Sequence, residues 1–339
     1  MRLRSVFLAG CVSLALPGLV VFGLSAGRAW VAWEQAQAAA RGAQAVAKVM
    51  HASTQLMVTR GVLLDAMRAE APDLPSLTPA IAATDAALAQ AGTALVVAGF
   101  PSGRVEQASE GLLLARRRAL DAIKRHVMSR SPVEAINRLI EGLDEESLRA
   151  ERRITLASPQ VGLVVGLART AHELRATGGQ RSAILSSWLG SQSIPSSDRE
   201  QLLVLTGRLA GAWNRLQQGV GAAGATRSVG NALAFTEVRF FEQEEPWFRE
   251  LVKAAADGID PPMGFEQFRH WSAAALDNLL PVRDALMTEA VAQGRVAVAT
   301  ARRDLLVAAG AVSLLLGLVA VVMGALLRDP MMAQGQPDQ

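Results

Sequence analysis

The sequence predicts an all-α protein, in which two transmembrane helices flank an extracytoplasmic pair of four-helix-bundle-like halves. Three observations carry this expectation. Two uncharged apolar runs lie near the ends. Capping residues and prolines recur at helix-length intervals between them, and that interior has few β-branched runs. The runs, Val6–Ala26 and Leu305–Leu327, hold about 21 and 23 residues, against the roughly 20 needed to cross hydrocarbon at about 1.5 Å per residue. They account for much of a composition that is 50% hydrophobic, with a mean hydropathy of +0.23. Backbone polar groups in lipid must be satisfied internally, so both runs are expected to be helical.

The first run admits three readings. Met1-Arg2-Leu3-Arg4 is a good basic leader for a signal peptide, but the apolar stretch is long for one and Leu24-Ser25-Ala26 is a poor cleavage site. Leu8-Ala9-Gly10-Cys11 spells a lipobox, yet the apolar run continues well past the cysteine. An uncleaved anchor is the expectation. Arg2 and Arg4 favour a cytoplasmic N-terminus, which puts the interior in the periplasm of a bacterial inner membrane and Arg328 back in the cytoplasm. The divisions are then 1–27 as anchor, 28–303 as the extracytoplasmic domain with halves at about 28–157 and 158–303, 304–328 as the second span, and 329–339 as a short tail.

Cys11 is the one cysteine, so the interior has neither disulfide nor thiol chemistry and is held by packing. The net charge is only +3 with acidic and basic residues interleaved, and no basic face with aromatics points to nucleic acid.

Start signals divide the interior into helices at about 28–71, 79–98, 104–130, 132–156, 159–191, 196–219, 228–256 and 264–303. Ser131-Pro132-Val133-Glu134 reads as an N-cap, a first-turn proline and a capping-box glutamate. Thr78-Pro79 and Ser158-Pro159 repeat the cap-and-proline pattern, and Ser197-Asp198-Arg199-Glu200 is a second capping box. Leu202, Leu205, Leu209, Trp213 and Leu216 recur at helical spacing. Pro246 and Pro281 are expected to kink the helices that contain them.

Two arginines are predicted to face inward. Arg60 has Leu56, Leu63, Leu64 and Met67 on its helical face, and Arg181 has Leu174, Ile184, Leu185 and Trp188. A buried guanidinium keeps its charge and needs an anion or several acceptors; its forked donors suit a planar oxyanion. The alternative is an internal ion pair, with Asp85 or Glu173 as partner. His51, His126, His172 and His270 are too scattered for a metal site. Glu242, Glu244 and Glu245 beside Pro246 read as an exposed acidic turn, Trp188, Trp213, Trp247 and Trp271 as core anchors, and Trp30 and Trp33 as an interfacial belt. Arg116-Arg117-Arg118 reads as a solvated face. No phosphate loop, nucleophile elbow or metal-hydrolase motif is present, so neither an enzyme nor a cofactor is expected.

A faint twofold repeat links Gln55–Leu64 to Ala176–Leu185, and within it lie Gln55…Thr59-Arg60-Gly61 and Gly178-Gly179-Gln180-Arg181-Ser182. With Thr84-Asp85, Phe240-Phe241 and the stretch Phe265 to Trp271, these elements resemble the nitrate- and nitrite-sensing type of bacterial sensory domain, over roughly Met50 to Thr288. The resemblance implies two four-helix bundles that sense a small anion through inward arginines. It carries Arg60 and Arg181 over as ligand-binding residues. Thr59 and Gln180 stand where the family has glutamate, so the ligand's identity stays open. It also implies a homodimer working with an output module. About a dozen residues follow the second run, too few for a folded domain, so the output is expected in a separate signalling partner or lost from a truncated receptor. The competing expectation is a non-enzymatic scaffold of the cell envelope, with both arginines answered by internal carboxylates.

Overall fold

The computed structural model describes residues 2–68, 74–125, 131–191, 193–224 and 226–328, and the side chains of all these except 2–16, 68, 74–76, 323 and 325–328. The side chains of Arg2, Arg4, Cys11 and Arg328, and all of His126 and the tail from Met331, lie outside what is described.

Among the described residues the chain is all helix. The elements are α1 (Arg2–Arg68), α2 (Leu74–Val97), α3 (Gly103–Lys124), α4 (Ser131–Ala157), α5 (Pro159–Ser191), α6 (Ser196–Ala223), α7 (Arg227–Thr236), a π segment (Glu237–Glu244), α8 (Glu245–Asp257), α9 (Phe265–Asp277) and α10 (Leu280–Arg328). They form two compact units, one of Met1–Gln37 with Arg295–Gln339 and one of Ala38–Gly294.

The second unit has one continuous core, running from Ala39 to Ala290. The expected boundary near residue 158 falls at the short break between α4 and α5, but no gap in the core separates two halves. Helix α5 packs against α4, α6, α8 and α9, so it serves both halves. It is buried on nearly every side, from Val161 to Leu189.

Prolines account for most departures from the expected boundaries. Helix α2 starts at Leu74, so Pro75 takes the first-turn position and Pro79 lies inside the helix. Helix α6 starts at Ser196 with Pro195 as its cap residue, and the capping box at Ser197 makes no side-chain cap. At Pro246 the ring excludes the carbonyl four residues back, and the missing N–H removes a donor. The chain answers with the wide π turn that ends there, Glu245 N–H bonding Phe240 O. The segment expected as one helix over 264–303 breaks at Asn278–Leu279, which places Pro281 in the first turn of α10 instead of in mid-helix.

Two described stretches are long and apolar enough to cross a membrane by length and composition: Leu77–Val97, and one within Phe265–Val322. They differ in packing. In α2, Leu77, Thr84, Leu88, Ala91 and Leu95 recur at helical spacing and are buried, which marks a bundle helix. In the most apolar window of the other stretch, no residue is buried. Leu306, Leu314, Leu318 and Val321 of α10, and Val20, Val21 and Leu24 of α1, are exposed. Within this first unit, a Cβ added at Gly18 would lie 3.3 Å from Leu315 Cδ2, and Trp30 and Trp33 pack with ring centroids 5.2 Å apart.

In the second unit α1 and α10 come close at Gly294, where an added Cβ would lie 2.9 Å from Ala40 Cα. Backbone cannot move aside as a flexible side chain can. Gly294→Ala is expected to destabilise the protein by about 1–3 kcal/mol, the range for overpacking. Gly230→Ala, on an exposed helix face with open space around it, should instead stabilise it by about 0.5–1 kcal/mol. Urea unfolding of the two variants in parallel checks both signs.

Candidate functional site

Both predicted arginines face inward, Arg60 being 5% exposed and Arg181 0%. Their environments differ. Arg181 is met by a carboxylate: its Nη1 and Nη2 donate to Glu245 Oε1 and Oε2 at 2.9 and 2.5 Å. Its Cζ also lies 4.6 Å from the centroid of the Phe248 ring. Glu245 is buried too, and further accepts from Arg249 Nε at 3.1 Å. This is a closed, bidentate ion pair.

The expected exposed acidic turn is therefore divided. Glu242 faces solvent, but Glu244 accepts from Trp271 Nε1 and Glu245 is sealed in the core. The π segment is the reason, because its wider turn rotates residues 244 and 245 toward α5 and α9. Trp247, on the other side of Pro246, is exposed instead of being a core anchor; Trp188 and Trp213 are buried, and Trp271 partly so.

Among the described residues Arg60 has no such partner. Nη1 donates to Asn137 Oδ1 at 2.7 Å, and among the described residues it forms no salt bridge. The cation that faces it is Arg175, itself 6% exposed. Burial, reinforced by Arg175, pushes the Arg60 guanidinium down to about 10. Arg175 is lowered as well, first by burial and then by Arg283, with Asp277 opposing the shift. Folding lowers the Arg60 pKa, so its penalty is present at every pH below about 10 and is relieved only as pH rises through that value. At neutral pH an anion, not proton loss, is what can relieve it.

The space between the two guanidiniums is made by glycine. A Cβ at Gly179 would stand 3.1 Å from both Arg60 Nη2 and Arg175 Nη1. Around it is a partly open cavity of about 210 Å³, lined among others by Arg60, Asp65, Arg175, Gly179, Ser182, Ser272 and Asp277. Neighbouring Gly178 serves the opposite need, since a Cβ there would stand 2.7 Å from Leu276 Cδ2.

The elements that drew attention in the sequence do meet. Thr84 Oγ1 lies 2.7 Å from Thr59 Oγ1 and donates to Gln55 O at 3.1 Å, which clamps the Arg60 turn of α1 onto α2. Asp85 points away and pairs with Arg116 at 3.0 Å, while Glu173 pairs with Arg208 and Arg215. Neither proposed internal partner serves Arg60 or Arg181.

Sequence reasoning missed Arg175, Asn137, Gly179 and Asp277. A signal for Arg175 existed, because Gly179 follows it by four residues and leaves room for a side chain on the same helical face.

A polar cluster surrounds His172, which is also buried in the same unit. His172 Nε2 lies 3.1 Å from Ser53 Oγ and 3.4 Å from Asp144 Oδ1, and Ser53 Oγ donates to the same Asp144 oxygen at 3.2 Å. A nucleophilic triad needs the acid and the hydroxyl on opposite ring nitrogens. Here both crowd Nε2 and Nδ1 has no partner, so the grouping is a structural knot. No group of three or more His, Cys, Asp or Glu side chains among the described residues is placed to hold a metal ion.

No protein-family profile and no curated protein matches the chain. Among solved structures the chain is similar to the NasR transcription antiterminator, with a TM-score of 0.66 at 16% identity over 87% of this chain and 83% of that one. At that identity the likeness is one of fold.

The Arg181–Glu245 pair and the open Arg60 site predict different mutational outcomes. Arg181→Ala and Glu245→Ala each strand a buried charge and are expected to lower unfolding stability by about 3–5 kcal/mol. The double variant should lose clearly less than the sum. Equal and additive losses in denaturant titrations would show that the pair is not coupled.

Proposed function

We propose that this protein is a membrane-anchored sensor that binds a small oxyanion between Arg60 and Arg175. The observation that carries the reading is the unmet charge of Arg60, buried opposite a second buried guanidinium across a space kept open by Gly179. Removing a cation from water without a counter-charge costs several kcal/mol. A planar oxyanion offers forked acceptors to both guanidiniums and cancels that penalty.

Nitrate and nitrite are the first ligands to test, in keeping with the resemblance of the Gln55–Gly61 and Gly178–Ser182 elements. Of the two arginines that this resemblance singles out, Arg60 keeps the ligand role in our reading. Arg175 takes the second place, because Arg181 is already neutralised by Glu245.

The remaining parts of the proposal rest on the apolar helices. Exposed leucines and valines on α10 and on the early part of α1 are unfavourable in water and suit lipid. We read both as bilayer anchors in a bacterial inner membrane, with the Ala38–Gly294 unit on the periplasmic side. A homodimer then passes a ligand-dependent shift of helix positions to a separate signalling partner. The competing reading, a non-enzymatic envelope scaffold, requires every inward arginine to be answered internally. Arg181 meets that condition through Glu245, whereas among the described residues Arg60 is met only by Asn137.

Calorimetric titration of the full chain in lipid nanodiscs with nitrate, nitrite and other small oxyanions tests the site. Binding is expected for at least one of them, and a loss of at least tenfold, about 1.4 kcal/mol, in Arg60→Gln, Arg175→Gln and Gly179→Val. Without ligand, Arg60→Gln should raise the thermal midpoint by about 2 °C or more, the shift that about 1 kcal/mol produces in a domain of this size. No heat with any oxyanion, or binding unchanged in the arginine variants, would defeat the proposal.

A further inference from the structure

The Arg175 side of the site is already occupied, though weakly. Its Nη2 lies 3.6 Å from Asp277 Oδ1, beyond ordinary hydrogen-bond length, and its Nε is buried with no partner. Asp277 is 61% exposed. It is also the last residue of α9, where the helix dipole disfavours a carboxylate. Arg175 is thus the main attraction holding this side chain inward, and water is the alternative close at hand.

Other carboxylates near the cavity are differently placed. Asp65 lies on its wall at the α1 side. Glu266 pairs with Arg269 at 3.3 Å, and Asp284 with Arg283 at 2.6 Å. Asp277 is the one in contact with Arg175.

We propose that Asp277 is a built-in counter-ion of the site, displaced when the oxyanion binds; this rests on the reading of Arg60 and Arg175 as the ligand site. The incoming anion and the Asp277 carboxylate compete for the same guanidinium. Releasing Asp277 frees the C-terminal end of α9 at the point where it turns into α10.

That turn is short and tied to the site. Asn278 and Leu279 join α9 to α10, with Asn278 N–H bonding Ala275 O and Leu279 N–H bonding Leu276 O, both at 3.2 Å. Thr236 Oγ1 donates to Asn278 O at 2.9 Å. Leu276 and Leu279 pack on Gly178, the neighbour of the glycine that opens the cavity, at 2.7 and 3.6 Å from the position of an added Cβ. A change at Asp277 therefore reaches the first turn of α10 within three residues. Pro281, in the first turn of α10, has no N–H to tie back to α9.

The test compares wild type, Asp277→Asn and Asp277→Glu as full chains in nanodiscs, titrated with nitrate and nitrite, with amide hydrogen exchange followed over residues 275–283. Asp277→Asn should bind the anion about 5- to 50-fold more tightly, while Asp277→Glu, which keeps the charge, should stay within about threefold of wild type; these are order-of-magnitude expectations for removing one competing ion pair. In wild type the anion should speed exchange across the α9–α10 turn. In Asp277→Asn that exchange should already be fast, and the anion should change it little. Wild-type binding together with equal or weaker binding by Asp277→Asn overturns the counter-ion. An unchanged exchange rate in ligand-bound wild type does so as well. If neither wild type nor Asp277→Asn binds any oxyanion, the failure lies in the site itself.

Discussion

Helix α5 is enclosed by α4, α6, α8 and α9, so every polar side chain its sequence carries on an inner face has to be satisfied inside the protein. His172, Arg175 and Arg181 are all buried on it. Little water reaches them to share the load, and an unmet charge in such a place is among the most destabilising features a fold can contain. The three are met in three ways. His172 is held by Ser53 and Asp144, Arg181 is closed by Glu245, and Arg175 has only the distant, half-solvated Asp277. The first two have close partners, although Nδ1 of His172 and Nε of Arg181 stay without one among the described residues. The third is incomplete, and Arg60 from α1 adds a second cation to the same space. Arg181 has a bidentate carboxylate, whereas among the described residues Arg60 has only Asn137, and that contrast is what supports the proposed ligand site.

The complete pair depends on a backbone irregularity. A regular helix through residues 237–257 would meet Pro246 in its interior, losing one hydrogen bond and clashing with the preceding turn. The π segment absorbs that conflict before the proline, and the extra width turns Glu245 inward to Arg181 and Glu244 to Trp271. Phe240, Phe248 and Phe268 then pack around the pair, with Phe248 under the guanidinium. Proline, π turn, carboxylate and aromatic cluster are thus one arrangement, and it leaves Arg181 with no charge to offer an outside anion.

Much of this was legible in the sequence, and what was not has identifiable causes. Helices α4 and α5 start close to where Ser131-Pro132 and Ser158-Pro159 place them, because a first-turn proline states a local preference that packing had no reason to override. The inward faces of Arg60 and Arg181 follow from helical spacing alone. Which of them keeps an open charge depends on Glu245, 64 residues further along the chain, and on a π register that no periodicity announces. The same limit applies to the break at Asn278–Leu279: the apolar pattern of Phe265 to Leu286 runs through it, since both sides of the turn face the same core. Arg175 escaped notice because the repeat drew attention to the arginine after the two glycines. The physical use of those glycines, room for one guanidinium against another, lies with the arginine before them.

Under the proposed reading, the glycine pair is the link between a small ligand and the long helices. Gly178 and Gly179 are consecutive, so they lie about 100° apart on α5. One admits Leu276 and Leu279 from the α9–α10 turn, and the other leaves the space into which Arg60 and Arg175 reach. Packed interiors do not deform smoothly; a side chain either fills its space or forces its neighbours to a second arrangement. With the leucines seated on one glycine and the charges gathered over the next, the electrostatic state of the cavity and the seating of the turn act on the same few ångströms of backbone. Helix α10 begins at Leu280, directly after that turn, so in the proposed reading its first residues lie next to the cavity with no relay through the rest of the core between them.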